Sequence, residues 1–184
     1  MKLYLASTSP RRRELLSTLG IPFEIISPIF EEIPTHLSPQ EEALYFTEQK
    51  ARSVADECPD SLIIGSDTLI DFEGKKLGKP KDSQDAQNML QALSGKSHHV
   101  ISAVALLNTA SGDIKINSDT ATVYFKTLTP SQINDYVATG EPMDKAGSYA
   151  IQGIGQSLIE KFEGNLDTII GLPTEILKKL LSSV

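Results

Sequence analysis

Through Ser66 the chain alternates short apolar runs with strongly marked helix starts, a rhythm that calls for a sheet covered by helices. Lys2 to Ala6 reads as a short buried strand. Ser9 then caps a helix from Pro10 to Leu19, with proline at the first helical position and Gly20 as the stop. A second strand is predicted over Phe23 to Ser27. The capping box Ser38-Pro39-Gln40-Glu41 opens a helix to about Glu57, with Ala43, Leu44, Thr47, Ala51, Val54 and Ala55 on one arc. Ser61 to Ser66 is apolar and β-branched enough for a third buried strand.

Beyond that point hairpins take over. Thr68 to Leu77 turns near Glu73-Gly74, and Val100 to Leu107 with Ile114 to Phe125 forms a long hairpin across Ser111-Gly112. Further helices are predicted over Ser83 to Leu93, from the capping box Thr129-Pro130-Ser131-Gln132 to Gly140, and over Pro173 to Leu181. Asp144 to Gly155 is glycine-rich and irregular. No repeat, low-complexity segment or linker divides the chain. The expected fold class is α/β, a mixed twisted sheet flanked by helices, with residues 1–184 as one domain.

Charge and cysteine content narrow the partners. The formal net charge of −7 argues against broad binding to nucleic acid, so any bound anion must meet a local basic site. Cys58 is the sole cysteine, which rules out an internal disulfide and a zinc site built on cysteine pairs. The apolar stretch Leu3 to Ala6 is too short for a signal-peptide core, and no other run approaches a membrane span. A reducing cytoplasmic setting is expected, with no membrane partner.

One basic site is conspicuous. Arg11, Arg12 and Arg13 occupy the first turn of a helix, where the backbone already carries partial positive charge. A bound anion reverses the sign of that cost. Ser7-Thr8-Ser9 ahead of the helix adds hydroxyl donors and free amides, and guanidinium groups add bidentate bonds to phosphate oxygens. Arg11 and Arg12 are therefore assigned to phosphate, whereas Arg13 is expected to point to solvent.

Carboxylates follow two of the strands. Asp67 stands just past the apolar run Leu62 to Ser66, where metal or proton chemistry is well placed at a sheet edge. Glu31 and Glu32 follow the second strand in the same way, each of them also readable as part of a polar loop. Two carboxylates and a triphosphate suit one divalent cation, Mg2+ or Mn2+, which takes oxygen ligands and retains water. Lys50, at the border of its helix's apolar arc, is expected to snorkel to solvent. Gly74 to Lys79 is one residue short of a Walker loop, and Pro80 stands where a metal-binding hydroxyl belongs. His98 and His99 read as core or surface residues, with no helical metal spacing.

Several short strings occur together in one order: Ala6-Ser7-Thr8-Ser9-Pro10-Arg11-Arg12, Gly65-Ser66-Asp67-Thr68, Gly78-Lys79-Pro80, and Leu93-Ser94-Gly95 with His98. Gly140-Glu141-Pro142, then Asp144 to Gly153 and Gly171-Leu172-Pro173, complete the set. In this the chain resembles the Maf family over nearly its whole length. The resemblance implies a nucleoside triphosphate pyrophosphatase, a homodimer, and an inosine-triphosphatase-like fold with a cleft between two lobes. It implies Asp67 as the catalytic or metal residue, with Glu32 beside it, and Ser9, Arg11, Arg12, Lys50 and Lys79 at the phosphates. Arg11, Thr68 and Gln152 together resemble the branch acting on dTTP and UTP. The family name also suggests another role, a non-catalytic nucleotide-binding regulator of cell division and septum formation. Ser66 stands where that branch more commonly has alanine.

Overall fold

The computed structural model describes residues 1–184. The strands are β1 (Lys2–Ala6), β2 (Glu24–Ile26), β3 (Ser61–Phe72), β4 (Lys75–Leu77), β5 (Ser97–Asn108), β6 (Ile114–Phe125) and β7 (Ile159–Glu163). The helices are α1 (Pro10–Ser17), α2 (Pro39–Arg52), α3 (Ser83–Leu93), α4 (Pro130–Ala138), α5 (Leu166–Ile170) and α6 (Thr174–Leu181). Hydrogen bonding orders the strands β2-β1-β3-β5-β6-β7, with β4 paired to β3. β1 runs parallel to β2 and β3, while β3–β4 and β6–β7 are antiparallel. The sheet is mixed, as expected.

Helix starts match their signals closely. Ser38 and Glu41 form a reciprocal capping box at α2, and Thr129 with Gln132 does the same at α4. Where the expected bounds differ, the partners explain it. The helix predicted to Glu57 stops at Arg52 and resumes as a 3-10 turn over Ala55–Glu57. The second strand shrinks to Glu24–Ile26, the only stretch in register with β1. The third strand does not end at Ser66 but runs on to Phe72, since β4 extends its ladder. β7 and α5 fall where no element was predicted.

The chain forms two compact units. The first comprises Met1–Thr68, Ile101–Asp119 and Asp167–Val184. Alternation along its strands builds two cores. Leu3, Leu5, Ile64, Val104 and Leu106 pack with Leu16 of α1 and Leu177 of α6. Ala6, Ile63 and Leu107 project the other way and pack with Ala51 of α2 and Val54 just beyond its end. This parity fixes the neighbours of everything further along β3.

The second unit comprises Leu69–Val100 and Thr120–Leu166. Within it α3 packs against α4, and Leu90, Leu93, Val123, Phe125, Ile133 and Tyr149 are buried. The irregular stretch predicted from Asp144 resolves into short 3-10 turns at Glu141–Asp144, Ala146–Ser148 and Gly153–Leu158. No helix of the chain is long and apolar enough to cross a membrane.

Candidate active site

Gly65 and Asp67 share the face of β3 that meets α2, because they keep the parity of Ile63. A Cβ built on Gly65 would lie 2.3 Å from the Thr47 carbonyl oxygen, so only glycine admits the helix this close. Lys50 follows Thr47 by one turn, as Asp67 follows Gly65 by one pleat. The result is a buried pair in which Lys50 Nζ donates to Asp67 Oδ1 at 2.6 Å. Lys50 Nζ also meets Glu32 Oε1 at 2.5 Å. The expectation that Lys50 snorkels to solvent is thus corrected: its side chain is 8% exposed and joins two carboxylates.

The two acids differ in setting. Glu32 lies in the loop after β2, with its side chain 52% exposed, while that of Asp67 is 5% exposed. Asp67 Oδ2 is buried and has no hydrogen-bond partner. Burial pushes the Asp67 carboxyl above the usual carboxylate range, Lys50 and Arg12 pull it back, and Glu32 adds to the rise. A raised pKa makes the ionised group a stronger proton acceptor.

Ser66 and Thr68 carry the opposite parity and meet α1 and the segment around Gly171. The single Ser66 O–H is shared between the carbonyls of Ala103 (2.9 Å) and Gly171 (3.1 Å). Arg12 Nε donates to Gly171 O at 2.9 Å, and its Nη2 donates to Thr68 Oγ1 at 3.1 Å. Thr68 Oγ1 also bonds Ser102 Oγ at 2.8 Å, and Ser102 donates to Thr168 O at 2.7 Å. Arg12 therefore uses part of its fork, Nε and Nη2, to join α1 to β3. Burial lowers its pKa, the charges of Asp67 and Glu32 oppose that change, and Arg11 reinforces it.

At the start of α1, Ser9 Oγ accepts from Arg12 N at 3.4 Å, and no acid stands in the first turn. Arg11 is half-buried and Arg13 exposed. The first unit thus brings together Ser9, Arg11, Arg12, Glu32, Lys50, Asp67 and Thr68. Lys79 and Gln152 belong to the second unit, where both are exposed in loops. The Lys79 loop is tied down by a bond from Gly147 N to Gly78 O at 3.0 Å. Sequence reasoning alone assigns no role to Ser102 or the Gly171 carbonyl. The serine within the apolar run Val100 to Leu107 is the signal that could have found the first.

The family model described as Maf-like protein matches residues 2–184. The chain belongs to the Maf family. A dTTP/UTP pyrophosphatase of Moorella thermoacetica is 46% identical over 98% of this chain and 94% of its own. One from Aquifex aeolicus is 43% identical over the same shares, and one from Clostridium novyi is 43% identical over 100% and 98%. Among solved structures, a nucleoside-triphosphatase/dITP/XTP pyrophosphatase of Mycobacterium abscessus matches with a TM-score of 0.48 at 17% identity, covering 100% of this chain and 93% of that one. The strings that carry this membership include every residue of the Lys50 and Arg12 networks that lies on β3.

Proposed function

We propose that this Maf-family chain hydrolyses dTTP and UTP to the monophosphate and pyrophosphate. The observation that carries the reading is Asp67: a buried carboxylate with one oxygen on Lys50 and the other unpartnered. A buried oxygen without a partner is costly, and its persistence points to a ligand or a proton to be taken. The relatives named dTTP/UTP pyrophosphatase supply the substrate class.

The residues fit a divalent cation of the Mg2+ or Mn2+ kind. No group of three or more His, Cys, Asp or Glu side chains is placed to hold a metal, so an all-protein cage is absent. Asp67 and Glu32, both on Lys50, offer hard oxygen ligands, and water and the triphosphate would complete the set as Mg2+ prefers. When bound, such an ion would neutralise phosphate charge and acidify a water molecule.

The chain's own residues do the rest. Asp67 Oδ2 takes a proton from the water that attacks the α-phosphorus, and the bond to the bridging oxygen breaks to release pyrophosphate. Lys50 holds Asp67 and Glu32 in place while its charge offsets theirs. Ser9, Arg11, Arg12 and Lys79 hold phosphate oxygens, and Arg11, Thr68 and Gln152 select the base. A homodimer in a cytoplasmic setting completes the reading.

Purified protein with Mg2+ and UTP tests it. Monophosphate and pyrophosphate should appear in equal amounts. Orthophosphate released first with a diphosphate would overturn the assignment, and so would absence of turnover across all common nucleoside triphosphates.

A further inference from the structure

Glu141 sits in a sharp turn of the second unit, just after Gly140 in left-handed backbone (φ 76°). Its carboxylate reaches 13 and 14 residues ahead: Ile154 N donates to Oε1 at 3.1 Å and Gly155 N to Oε2 at 2.8 Å. Two consecutive amides on one carboxylate fix the peptide between them. Gly153, at φ 75°, lies against the same group, and a Cβ there would come within 2.5 Å of Glu141 Oε1. Gly155 is closed in as well, since a Cβ there would meet Ala150 O at 2.4 Å and Tyr136 Oη at 2.7 Å. The phenol of Tyr136 is buried without a hydrogen bond of full geometry, yet close enough to the Glu141 carboxylate to stabilise its charge. Lys145 Nζ donates to the Glu141 carbonyl at 3.1 Å and to Asp144 at 2.6 Å, closing the turn from its other side.

Gln152 is the residue before this clamp. It is extended (φ −99°, ψ 161°) and exposed, and its side chain makes no hydrogen bond within the chain. The backbone directly after it is held by the two Glu141 bonds, with Ser157 Oγ donating to Ile154 O at 2.8 Å inside the following 3-10 turn. We propose that Glu141 is a positioning residue for base selection, clamping Ile154 and Gly155 so that Gln152 is presented in one orientation. This rests on the reading of Gln152 as the residue that meets the pyrimidine. A side-chain amide discriminates between bases only if its donor and acceptor are held in one direction. A flexible backbone after Gln152 lets the amide rotate to accept either pattern.

Glu141→Gln tests the clamp conservatively. The amide can accept from one backbone N–H, but its NH2 then faces the other, so one bond is lost with little change in size. Deuterium exchange at Ile154 and Gly155 should accelerate at least tenfold in Glu141→Gln, with the melting temperature nearly kept. The ratio of kcat/KM for UTP over CTP should fall roughly threefold to tenfold, through KM more than kcat. Gln152→Ala should lower the same ratio, and the double variant should lose no more than Gln152→Ala alone.

The outcomes separate two failures. If the parent protein turns over UTP, dTTP and CTP equally, the base-selection reading falls and the proposal falls with it. If the parent discriminates but Glu141→Gln keeps the full ratio, or the double variant shows the product of both losses, only the role of Glu141 is overturned. Unchanged exchange at Ile154 and Gly155 overturns the clamp whatever the kinetics show.

Discussion

Around Asp67 the first unit buries charge, whereas around Tyr149 the second buries neutral polar groups. In the first, Lys50 stands between Glu32 and Asp67, and one Asp67 oxygen is left without a partner. In the second, His98 Nε2 meets Tyr149 Oη at 2.6 Å, with Phe125 stacked edge-on against both rings. Burial pulls His98 down to about 4, helped slightly by His99, so it is neutral at ordinary pH. A buried ion pair is a poor source of stability, since desolvation offsets the attraction. A neutral network costs far less to bury and specifies one packing. The contrast sets a buried cluster of charges with an oxygen to spare against a buried neutral network joined by ring contacts. It can be broken residue by residue.

The largest effect is expected at Asp67. Asp67→Asn keeps the size of the side chain while removing a charge and a proton acceptor. Turnover should fall by a factor on the order of 100 or more, with the fold intact because Lys50 retains Glu32. A folded Asp67→Asn protein with near-normal kcat would erase the distinction and shift the chemistry to Glu32.

Gly65→Ala should come next. The added methyl would meet the Thr47 carbonyl at 2.3 Å and Ala51 Cβ at 3.0 Å, so α2 must move off β3. Overpacking of this kind costs about 1–3 kcal/mol. It also carries Lys50 away from Asp67, and kcat should drop roughly tenfold. Equal stability and kcat in Gly65→Ala would mean that helix packing does not set the ion pair.

These residues also show how far the sequence can be read. Asp67, Arg11 and Arg12 stand out because their charge sits where local structure disfavours it. The capping boxes at Ser38 and Thr129 mark α2 and α4 because a cap is satisfied within four residues. Helix periodicity sends Lys50 to solvent wrongly, because its burial depends on Gly65, a contact between distant segments that periodicity does not contain. β7 escapes sequence reading for a related reason. Ile159-Glu160-Lys161-Phe162-Glu163 is charged and mostly exposed, and pairing with β6 makes it a strand. α5 is only five residues long and shows too little periodicity to register.

The neutral side of the comparison predicts a pH effect. A histidine whose folded pKa is depressed binds its proton less tightly than the unfolded chain does. Its contribution is fully present above the unfolded value of 6.5 and is lost as pH falls toward the folded value of about 4. Between about pH 7 and pH 5 this term amounts to about 2 kcal/mol. His98→Gln retains a polar partner for Tyr149 but cannot titrate, so its stability should fall less over that interval. Urea midpoints at both pH values check it. Parallel losses would show that His98 is not held neutral.

The smallest effect lies at Arg12, where the two kinds of burial meet in one side chain. Its Nε and Nη2 serve Gly171 and Thr68, which is structural work, while its charge is expected to serve phosphate. Arg12→Lys keeps the charge but replaces a rigid fork by a single ammonium, which cannot bond both acceptors in the same geometry. Loss of one such bond is worth about 1 kcal/mol, or roughly 2–4 °C in melting temperature for a chain of this size. The ligand-free Arg12→Lys protein should melt lower by that amount. Added pyrophosphate should still raise its melting temperature, because cations crowded at the start of α1 repel the helix terminus until an anion binds. Arg12→Ala should show the same structural loss and a weaker pyrophosphate shift. If Arg12→Ala keeps the full shift, the residue is structural alone and phosphate falls to Arg11. If Arg12→Lys melts with the parent, the bonds to Gly171 and Thr68 contribute no measurable stability, and Arg12 belongs wholly to the charged side of the comparison.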